Sequence, residues 1–328
     1  MAKGKSKKST PKSTKKKTPL ISRRTRHLMG LGVGLLAILL YLNTLGHQWT
    51  LDDASAITNN FVTKQGVEGI GTHFTNSYRY GYWTSQGTLY RPVSLAMFAL
   101  EWELFGDNPR YFHLFNILFY GLTGYLVFLL LSQWLKRWHV VLPLLAALLY
   151  IAHPVHTEVV ANVKSRDEIM AMLFGVLSLL CFWKYAAVAT QKRPVKWLVG
   201  ALLAYTLALF SKESAVTLLA IFPLSLLAFA KYYKTEKLST LFSKTLTLSA
   251  PMILPVVLFL AARFAIVGGV TIDTVSKLDN ALVAASGGGE RLAGAFLYLG
   301  YYLKTLVIPH LVHQRHGYHQ CFQIVPQI

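Results

Sequence analysis

The chain has 328 residues, of which 53% are hydrophobic and 14% are charged, and its formal net charge is +19. A soluble protein of this length carries about twice that charged fraction, so the composition excludes an ordinary water-soluble domain. Several apolar runs approach the ~20 residues that a helix needs to cross a bilayer. We therefore predict an all-α polytopic membrane protein.

The first 27 residues carry much of the positive charge, with eight lysines, three arginines and no acid. The Ser-, Thr-, Pro- and Lys-rich composition of 1–27 predicts a disordered tail. A nucleic-acid-binding tail would look similar. Because an apolar run follows directly, we prefer a cytoplasmic tail that obeys the positive-inside rule and touches anionic membrane lipid, and we expect no nucleic-acid partner.

Hydropathy and helix-breaking residues divide the rest of the chain into about eight predicted spans. The long first outer loop, 47–109, contains an apolar stretch at 91–106 with two glutamates, which is typical of an interfacial or half-inserted helix. The Asn108-Pro109 pair predicts a helix that begins at the proline. The predicted spans are 28–46, 110–131, 139–152, 166–188, 195–210, 213–230, 246–267 and 290–308.

The loops between these spans differ in charge. Three short loops are basic, whereas the long loop at 47–109 holds few cations for its length, and this alternation predicts a cytoplasmic N-terminus. The long loop then faces the periplasm of a bacterial inner membrane, which we favour, or the lumen of the endoplasmic reticulum in a eukaryotic cell. The basic residues of the short loops are Lys136, Arg137, Lys192, Arg193, Lys196, Lys231, Lys234, Lys237 and Lys244.

Two adjacent acids stand at the start of the long loop, in "WTLDDASAITNN". Asp52 and Asp53 are candidates for a general base that deprotonates a hydroxyl, with one acid accepting the proton while the other orients a partner or raises its neighbour's pKa. A solvated loop start, or a helix cap at Asp53, explains the pair equally well. Both interpretations stay open on these residues alone.

A second polar cluster lies in "AHPVHTEVVANVKSRDE". His153, His156 and Glu158 follow an HxxHxE spacing, but a zinc-binding helix normally carries histidines four residues apart. Here the histidines are three apart with Pro154 between them, so we expect no metal. A capped polar helix at the surface and a phosphate- or sugar-binding site remain as alternatives.

The end of the same stretch reads "SRDE". Ser165 and Glu168 fit a capping box, and the helix dipole explains Asp167 in part. Neither effect explains Arg166, whose guanidinium suits a bidentate contact with phosphate.

Lys212 and Glu213 stand between two apolar runs in "LALFSKESAVTLL". They form either an ion pair that flanks two spans or a site in which Lys212 stabilises a leaving phosphate, and the cost of a cation at this depth favours the second. Together, the outer acids and cations suit group transfer from a lipid phosphate. They also suit a transporter of an anionic solute, although a transporter needs no acid pair in a loop.

Four stretches resemble, in the same order, the membrane half of the transmembrane and tetratricopeptide-repeat O-mannosyltransferase-like proteins, a family with the GT-C glycosyltransferase fold. They are "LDDASAITNN", "YRPVSLAMFALEWELFGDNPRYFHLFNILFYGLTGYLVFLLL", "AHPVHTEVVANVKSRDEIMAMLF" and "LALFSKESAVTLL", and the resemblance covers roughly residues 28–310. It implies a GT-C-like bundle of about eight transmembrane helices with a long first outer loop.

The resemblance implies a transferase that takes a sugar, mannose in eukaryotic members, from a polyprenyl-phosphate donor to a hydroxyl of a protein or glycan acceptor. The lipid-linked sugar is a substrate, and no metal or other cofactor is expected. The family's acidic motif falls at Asp52 and Asp53, and we expect Arg166 and Lys212 to face one cavity with them. The implied donor-phosphate and substrate-binding residues are Arg91, His153, His156, Glu158, Arg166, Asp167, Lys212 and Glu213.

The resemblance ends near His310, where the expected acidic-aromatic turn gives way to "LVHQRHGYHQ". The family continues into further spans and tetratricopeptide repeats, which we do not find here, so we interpret 311–328 as a tail left by truncation or by a shifted reading frame. Our prediction is a membrane glycosyltransferase whose GT-C-like domain covers 28–310. The alternative is a non-enzymatic membrane scaffold or repeat-protein anchor, or a transporter of an anionic solute.

Overall fold

Helices form all the regular structure in the computed structural model, which describes residues 21–50, 52–82, 87–186, 193–229, 237–268 and 287–308. The all-α class is therefore confirmed for these residues. The α-helices are α1 (Arg23–Leu40), α2 (Ile70–Thr75), α3 (Pro92–Phe105), α4 (Pro109–Trp134), α5 (Val141–Ala152), α6 (His156–Ala161), α7 (Arg166–Ala186), α8 (Val195–Ser211), α9 (Leu218–Phe229), α10 (Leu238–Ser249), α11 (Ile253–Val267) and α12 (Gly288–Val307).

Three helical stretches of the described chain are long and apolar enough to cross a membrane, namely Pro109–Trp134, Arg166–Ala186 and Leu238–Val267. Each of the eight predicted spans overlaps a helix, but eight membrane crossings are not confirmed. The physical reasons are charge in α1 and α12, which each hold three Arg, Lys or Glu residues, and length in α5, which has 12 residues. At about 1.5 Å per residue such a helix is about 18 Å long, short of a ~30 Å hydrocarbon core.

Helix starts agree with the capping signals at one place and differ at another. The Asn108 side chain accepts a hydrogen bond from the backbone of Arg110, and Pro109 lies in the first turn of α4, as predicted. Helix α1 begins early because Ser22 accepts from a backbone N–H in its first turn, so 23–27 are helical rather than disordered. The rest of the predicted tail, 1–20, and the predicted tail at 311–328 lie outside the described residues.

The bundle is organised around α4 and α7. Helix α4 packs against α1, α5 and α7, and α7 packs against α8. Glycines allow α1 and α4 to approach closely, because a Cβ at Gly34 would lie 2.8 Å from the carbonyl oxygen of Gly121, and a Cβ at Gly121 would lie 2.9 Å from that of Gly34. Small residues at such a crossing are typical of helices that pack within a membrane.

The segment between α1 and α4, called the long loop below, is folded onto the bundle. A second apolar core joins it to α4 and to the turn before α7 through Ile57, Phe98, Phe112 and Val163. Within this loop, α3 turns Glu101 into the protein, where the side chain is buried. One of the two glutamates of α3 is therefore inside the protein, and the packing of the helix fixes the loop acids relative to α7.

Candidate functional site

The two loop acids have different environments. Asp53 is fully buried, with Oδ2 accepting from the backbone N–H (2.7 Å) and hydroxyl (3.0 Å) of Thr50, and Oδ1 accepting from the backbone N–H of Lys164 (2.8 Å). Burial raises the pKa of Asp53, the hydrogen bonds lower it by less, and the charge of Asp52 adds to the rise. Asp52 is exposed. Asp53 is therefore a fixed anchor, and Asp52 is the acid that a substrate can reach.

The turn after the acids is closed by side-chain hydrogen bonds. Asp53 precedes the single helical turn Ala54–Thr58 but makes no capping bond to it, so the helix-cap interpretation does not hold. Instead, the buried Asn60 side chain accepts from the backbone N–H groups of Val62 and Thr63 (3.1 Å each). Bonds of this kind give irregular backbone a defined course, and here they hold the acids in position.

Charged side chains from three helical segments meet beside this loop. Arg91, directly before α3, pairs with Asp167 in the first turn of α7 and with Glu213, which follows α8. Lys212, at the end of α8, pairs with Glu168 (2.5 Å), and its nitrogen lies 3.8 Å from Asp167. Asp167 therefore lies between the two cations. We call these five residues the paired-charge cluster.

The carboxylates of the paired-charge cluster differ in exposure. The side chain of Asp167 is 1% exposed, whereas Glu213 is 39% and Glu168 is 43% exposed. Asp167 therefore forms the floor of the cluster and the two glutamates form its rim. The alternative of an ion pair between Lys212 and Glu213 is not found, because each pairs with a different residue. Nor does the carboxylate of Glu168 close a capping box, since it binds Lys212.

Tyr78 links the loop acids to the cluster. Its ring lies 5.8 Å from the guanidinium carbon of Arg91, within cation–π range. Burial raises the pKa of Tyr78, and the negative charges of Asp167 and, more weakly, of Asp52 raise it further. The positive charges of Arg91 and Arg79 lower the pKa of Tyr78. The hydroxyl is buried and has no hydrogen-bond partner among the described residues. Sequence reasoning missed this residue, although the loop run "YRYGYW" was an available signal.

Arg166 does not reach the cluster. It is fully buried, with Nε donating to Asn116 (2.7 Å), one terminal nitrogen donating to the carbonyl of Phe112 (2.7 Å), and the other paired with Glu101. The predicted contact between Arg166 and a departing phosphate is therefore incompatible with this placement. Arg166 instead joins α3 and α4 to the start of α7 and so positions Asp167. Glu101 and Asn116 are the partners that sequence reasoning missed.

The two histidines form a separate group. His153 Nδ1 accepts from the backbone N–H of Val155 (3.2 Å), and His153 Nε2 lies 3.1 Å from the carbonyl oxygen of Leu306. The ring of His156 lies 4.6 Å from that of Tyr150. Burial, and to a lesser extent the charge of His153, lowers the pKa of His156 to about 4, so this residue is neutral at pH 7.

A cavity of about 280 Å³ lies beside these histidines, between the end of α1 and the segment that joins α5 to α6. Glu158 is exposed in the first turn of α6. The predicted HxxHxE residues thus lie near this cavity, apart from the paired-charge cluster. The cavity is lined by Leu40, Tyr41, Asn43, Thr44, His47, Ile151, Ala152, Pro154, Thr157 and Ala161.

The chemistry available at the site is proton transfer and anion binding. In the part of the chain that the structure describes, no group of three or more His, Cys, Asp or Glu side chains is arranged to hold a metal ion. An exposed carboxylate at Asp52 can accept a proton, and the cations Arg91 and Lys212 can bind an anion when their rim partners move aside.

Curated relatives of the chain are protein O-mannosyl-transferases. The chain is 33% identical over 201 residues to TMTC2 of Homo sapiens. This alignment covers 57% of the chain and 22% of the human protein. The chain is 32% identical over 295 residues to Tmtc2 of Drosophila melanogaster, an alignment that covers 84% of the chain and 29% of the fly protein. It is 30% identical over 207 residues to TMTC4 of Homo sapiens, where the alignment covers 58% of the chain and 28% of the human protein. The chain thus spans less than a third of the length of these relatives.

No family model matches the chain, and no solved structure matches it. The evidence of homology is therefore the sequence identity to these relatives. The alignment with the fly protein covers most of the chain. On that evidence the chain is similar in sequence to the transmembrane and tetratricopeptide-repeat O-mannosyltransferases.

Proposed function

We propose that the chain is the membrane part of a glycosyltransferase that moves mannose or a similar hexose from a polyprenyl-phosphate donor to a hydroxyl of a protein or glycan acceptor. The observation that carries the proposal is the placement of an exposed acid, Asp52, at the same end of the bundle as two cations, Arg91 and Lys212. The relatives described above are named protein O-mannosyl-transferases, which supports the same activity.

Asp52 is the proposed general base. The acceptor oxygen bonds to the anomeric carbon of the sugar while its proton passes to Asp52, and the bond from that carbon to the phosphate oxygen breaks. Asp53 positions Asp52, because its buried carboxylate ties the loop to the backbone of Lys164 just before α7. A positioned base typically contributes about 10²–10⁴-fold to the rate.

The paired-charge cluster is the proposed site of the leaving phosphate. Its cations are already paired, so the phosphate has to replace a carboxylate. Glu213 and Glu168 are the exchangeable partners, since they are 39% and 43% exposed, whereas Asp167 stays in place beneath them. With both glutamates turned away, Arg91 and Lys212 face one carboxylate, and the net positive charge favours the departing lipid phosphate.

Transfer assays on the purified full chain in detergent test the base. Polyprenyl-phosphate mannose is the donor and a Ser/Thr peptide is the acceptor. We expect Asp52→Asn to lower the rate of transfer by about 10²–10⁴-fold. The matched control is Glu68→Gln, which removes an exposed acid from the same long loop and should leave transfer unchanged. Full transfer by Asp52→Asn would end the proposal.

The proposed orientation places the N-terminus in the cytoplasm and Asp52 in the periplasm, or in the lumen of the endoplasmic reticulum in a eukaryotic cell. The exposed residues Thr75, in α2, and His139, after α4, report the two sides. In a chain whose native cysteines are replaced by serine, an impermeant maleimide added outside should label Thr75→Cys and not His139→Cys. Labelling in the opposite sense would place the acids on the cytoplasmic side.

A further inference from the structure

The end of the bundle opposite Asp52 has only positive charges among its described residues. Helices α4, α7 and α9 finish here and α8 begins here, and we call this the basic end. Its described segments, 21–30, 131–141, 180–186, 193–200 and 225–229, contain no Asp or Glu. The cations are Arg23, Arg24, Arg26, Lys136, Arg137, Lys184, Arg193 and Lys196. The positive-inside rule explains such a surplus, so charge alone does not define a binding site.

A cavity at the basic end is a candidate binding site for an anion. It has a volume of about 410 Å³ and lies between the ends of α4 and α9, where Trp134, Arg137, Trp138, Ala228 and Phe229 line it. Small-molecule sites commonly have volumes of about 300–1,000 Å³. The cavity is therefore large enough for a small polar group with part of a chain attached.

Trp134, one of the residues that line this cavity, carries an unsatisfied donor. Its indole stacks on Phe229, with ring centroids 4.9 Å apart and planes 9° apart, so the ring is held in place. The indole Nε1 is buried and has no hydrogen-bond partner among the described residues. Buried indole N–H groups usually find an acceptor. Because the N–H is covered, a ligand oxygen can satisfy it once a side chain that lines the cavity shifts.

We propose that this cavity binds the headgroup of an anionic phospholipid. Arg137 is exposed at its edge and can bind two phosphate oxygens at once, while the Trp134 N–H donates to a phosphate or glycerol oxygen. Trp138, 63% exposed, suits the boundary between headgroups and acyl chains. A zwitterionic lipid fits less well, because its ammonium group would meet cations with no acid beside them in the described segments of the basic end.

Native mass spectrometry of the full chain tests the site by titration with phosphatidylglycerol, phosphatidylcholine or inorganic phosphate. We expect phosphatidylglycerol to bind selectively. Because hydrogen bonds to charged groups contribute about 1.5–3 kcal/mol, Arg137→Gln should weaken its binding about ten-fold or more. Trp134→Phe keeps the stacking, removes the N–H and should weaken binding several-fold.

The matched control is Lys196→Gln, which removes one cation from the basic end but leaves the cavity lining intact. Binding of phosphatidylglycerol should survive this change. If Lys196→Gln and Arg137→Gln weaken the binding of phosphatidylglycerol equally, the lipid responds only to general surface charge, and the proposed site is wrong. Binding of phosphatidylcholine as strong as that of phosphatidylglycerol would also overturn the site. Inorganic phosphate that competes with the lipid at similar affinity would also overturn it, since the site would then take the free anion. If Trp134→Phe fails to fold, the difference in phosphatidylglycerol binding between Arg137→Gln and Lys196→Gln still tests the site, because both replaced residues are at the surface.

Discussion

Replacing Arg166 with methionine should destabilise the protein strongly, because the change leaves the carboxylate of Glu101 buried without a counter-charge. Arg166 is 0% exposed and Glu101 is 1% exposed. One oxygen of Glu101 has no hydrogen-bond partner in the described residues even with the arginine in place. Removing one member of a buried ion pair costs about 3–5 kcal/mol, and we expect a loss of that size in the free energy of unfolding.

The assay is unfolding of the purified chain in detergent, followed by circular dichroism. Lys212→Met is the matched control, because it removes a cation whose side chain is 18% exposed and whose partner Glu168 is 43% exposed. Pairs that reach solvent contribute about 0–1 kcal/mol, so this variant should lose much less stability. The double variant Arg166→Met/Glu101→Leu should recover most of the loss, since no unpaired charge stays buried. An Arg166→Met protein as stable as the parent but inactive in transfer would refute this reasoning.

Three further changes test other parts of the structure. Glu213→Gln should lower KM for the donor about five-fold, the equivalent of about 1 kcal/mol, because the amide competes less than the carboxylate with the donor phosphate for Arg91. A raised KM would contradict the proposal that the phosphate replaces Glu213. His156→Phe should reduce the loss of thermal stability between pH 7 and pH 5. The parent loses stability there because the folded state keeps His156 neutral, with a pKa of about 4, while the unfolded chain takes up a proton near pH 6.5; an unchanged pH dependence would argue against this burial. Gly34→Ala places a Cβ 2.8 Å from the carbonyl oxygen of Gly121 and should cost about 1–3 kcal/mol. Gly32→Ala has open space around its Cβ and should cost nothing, so equal melting temperatures for the two variants would exclude the close crossing.

The helices could be predicted because their signals are local. The apolar runs predicted as spans at 110–131, 166–188 and 195–210 correspond to α4, α7 and α8, with starts that differ by one residue or none. The start of α1 was missed because its capping residue, Ser22, lies inside a lysine-rich segment whose composition suggests disorder.

Long-range partners could not be predicted, as Arg166 and Asp167 illustrate. Adjacent residues on a helix point about 100° apart, so one of the two faces the α3–α4 core and the other faces Arg91. Sequence spacing does not say which, because the partner Glu101 is 65 positions away from Arg166. The acid pair was conspicuous, but backbone N–H groups hold Asp53, and these leave no trace in a side-chain pattern.

The presence of carboxylates on both cations of the paired-charge cluster has a consequence for how the donor would be held. Its phosphate would exchange with Glu213 and Glu168 rather than occupy vacant cations, so the number of ion pairs at the site would stay nearly constant. Since few free counter-ions are released in such an exchange, donor affinity should depend only weakly on ionic strength. The basic end lacks internal carboxylates in its described segments, and there the attraction for an anion is screened directly by salt. The two ends of the same bundle would then respond differently to the ionic strength of their compartments.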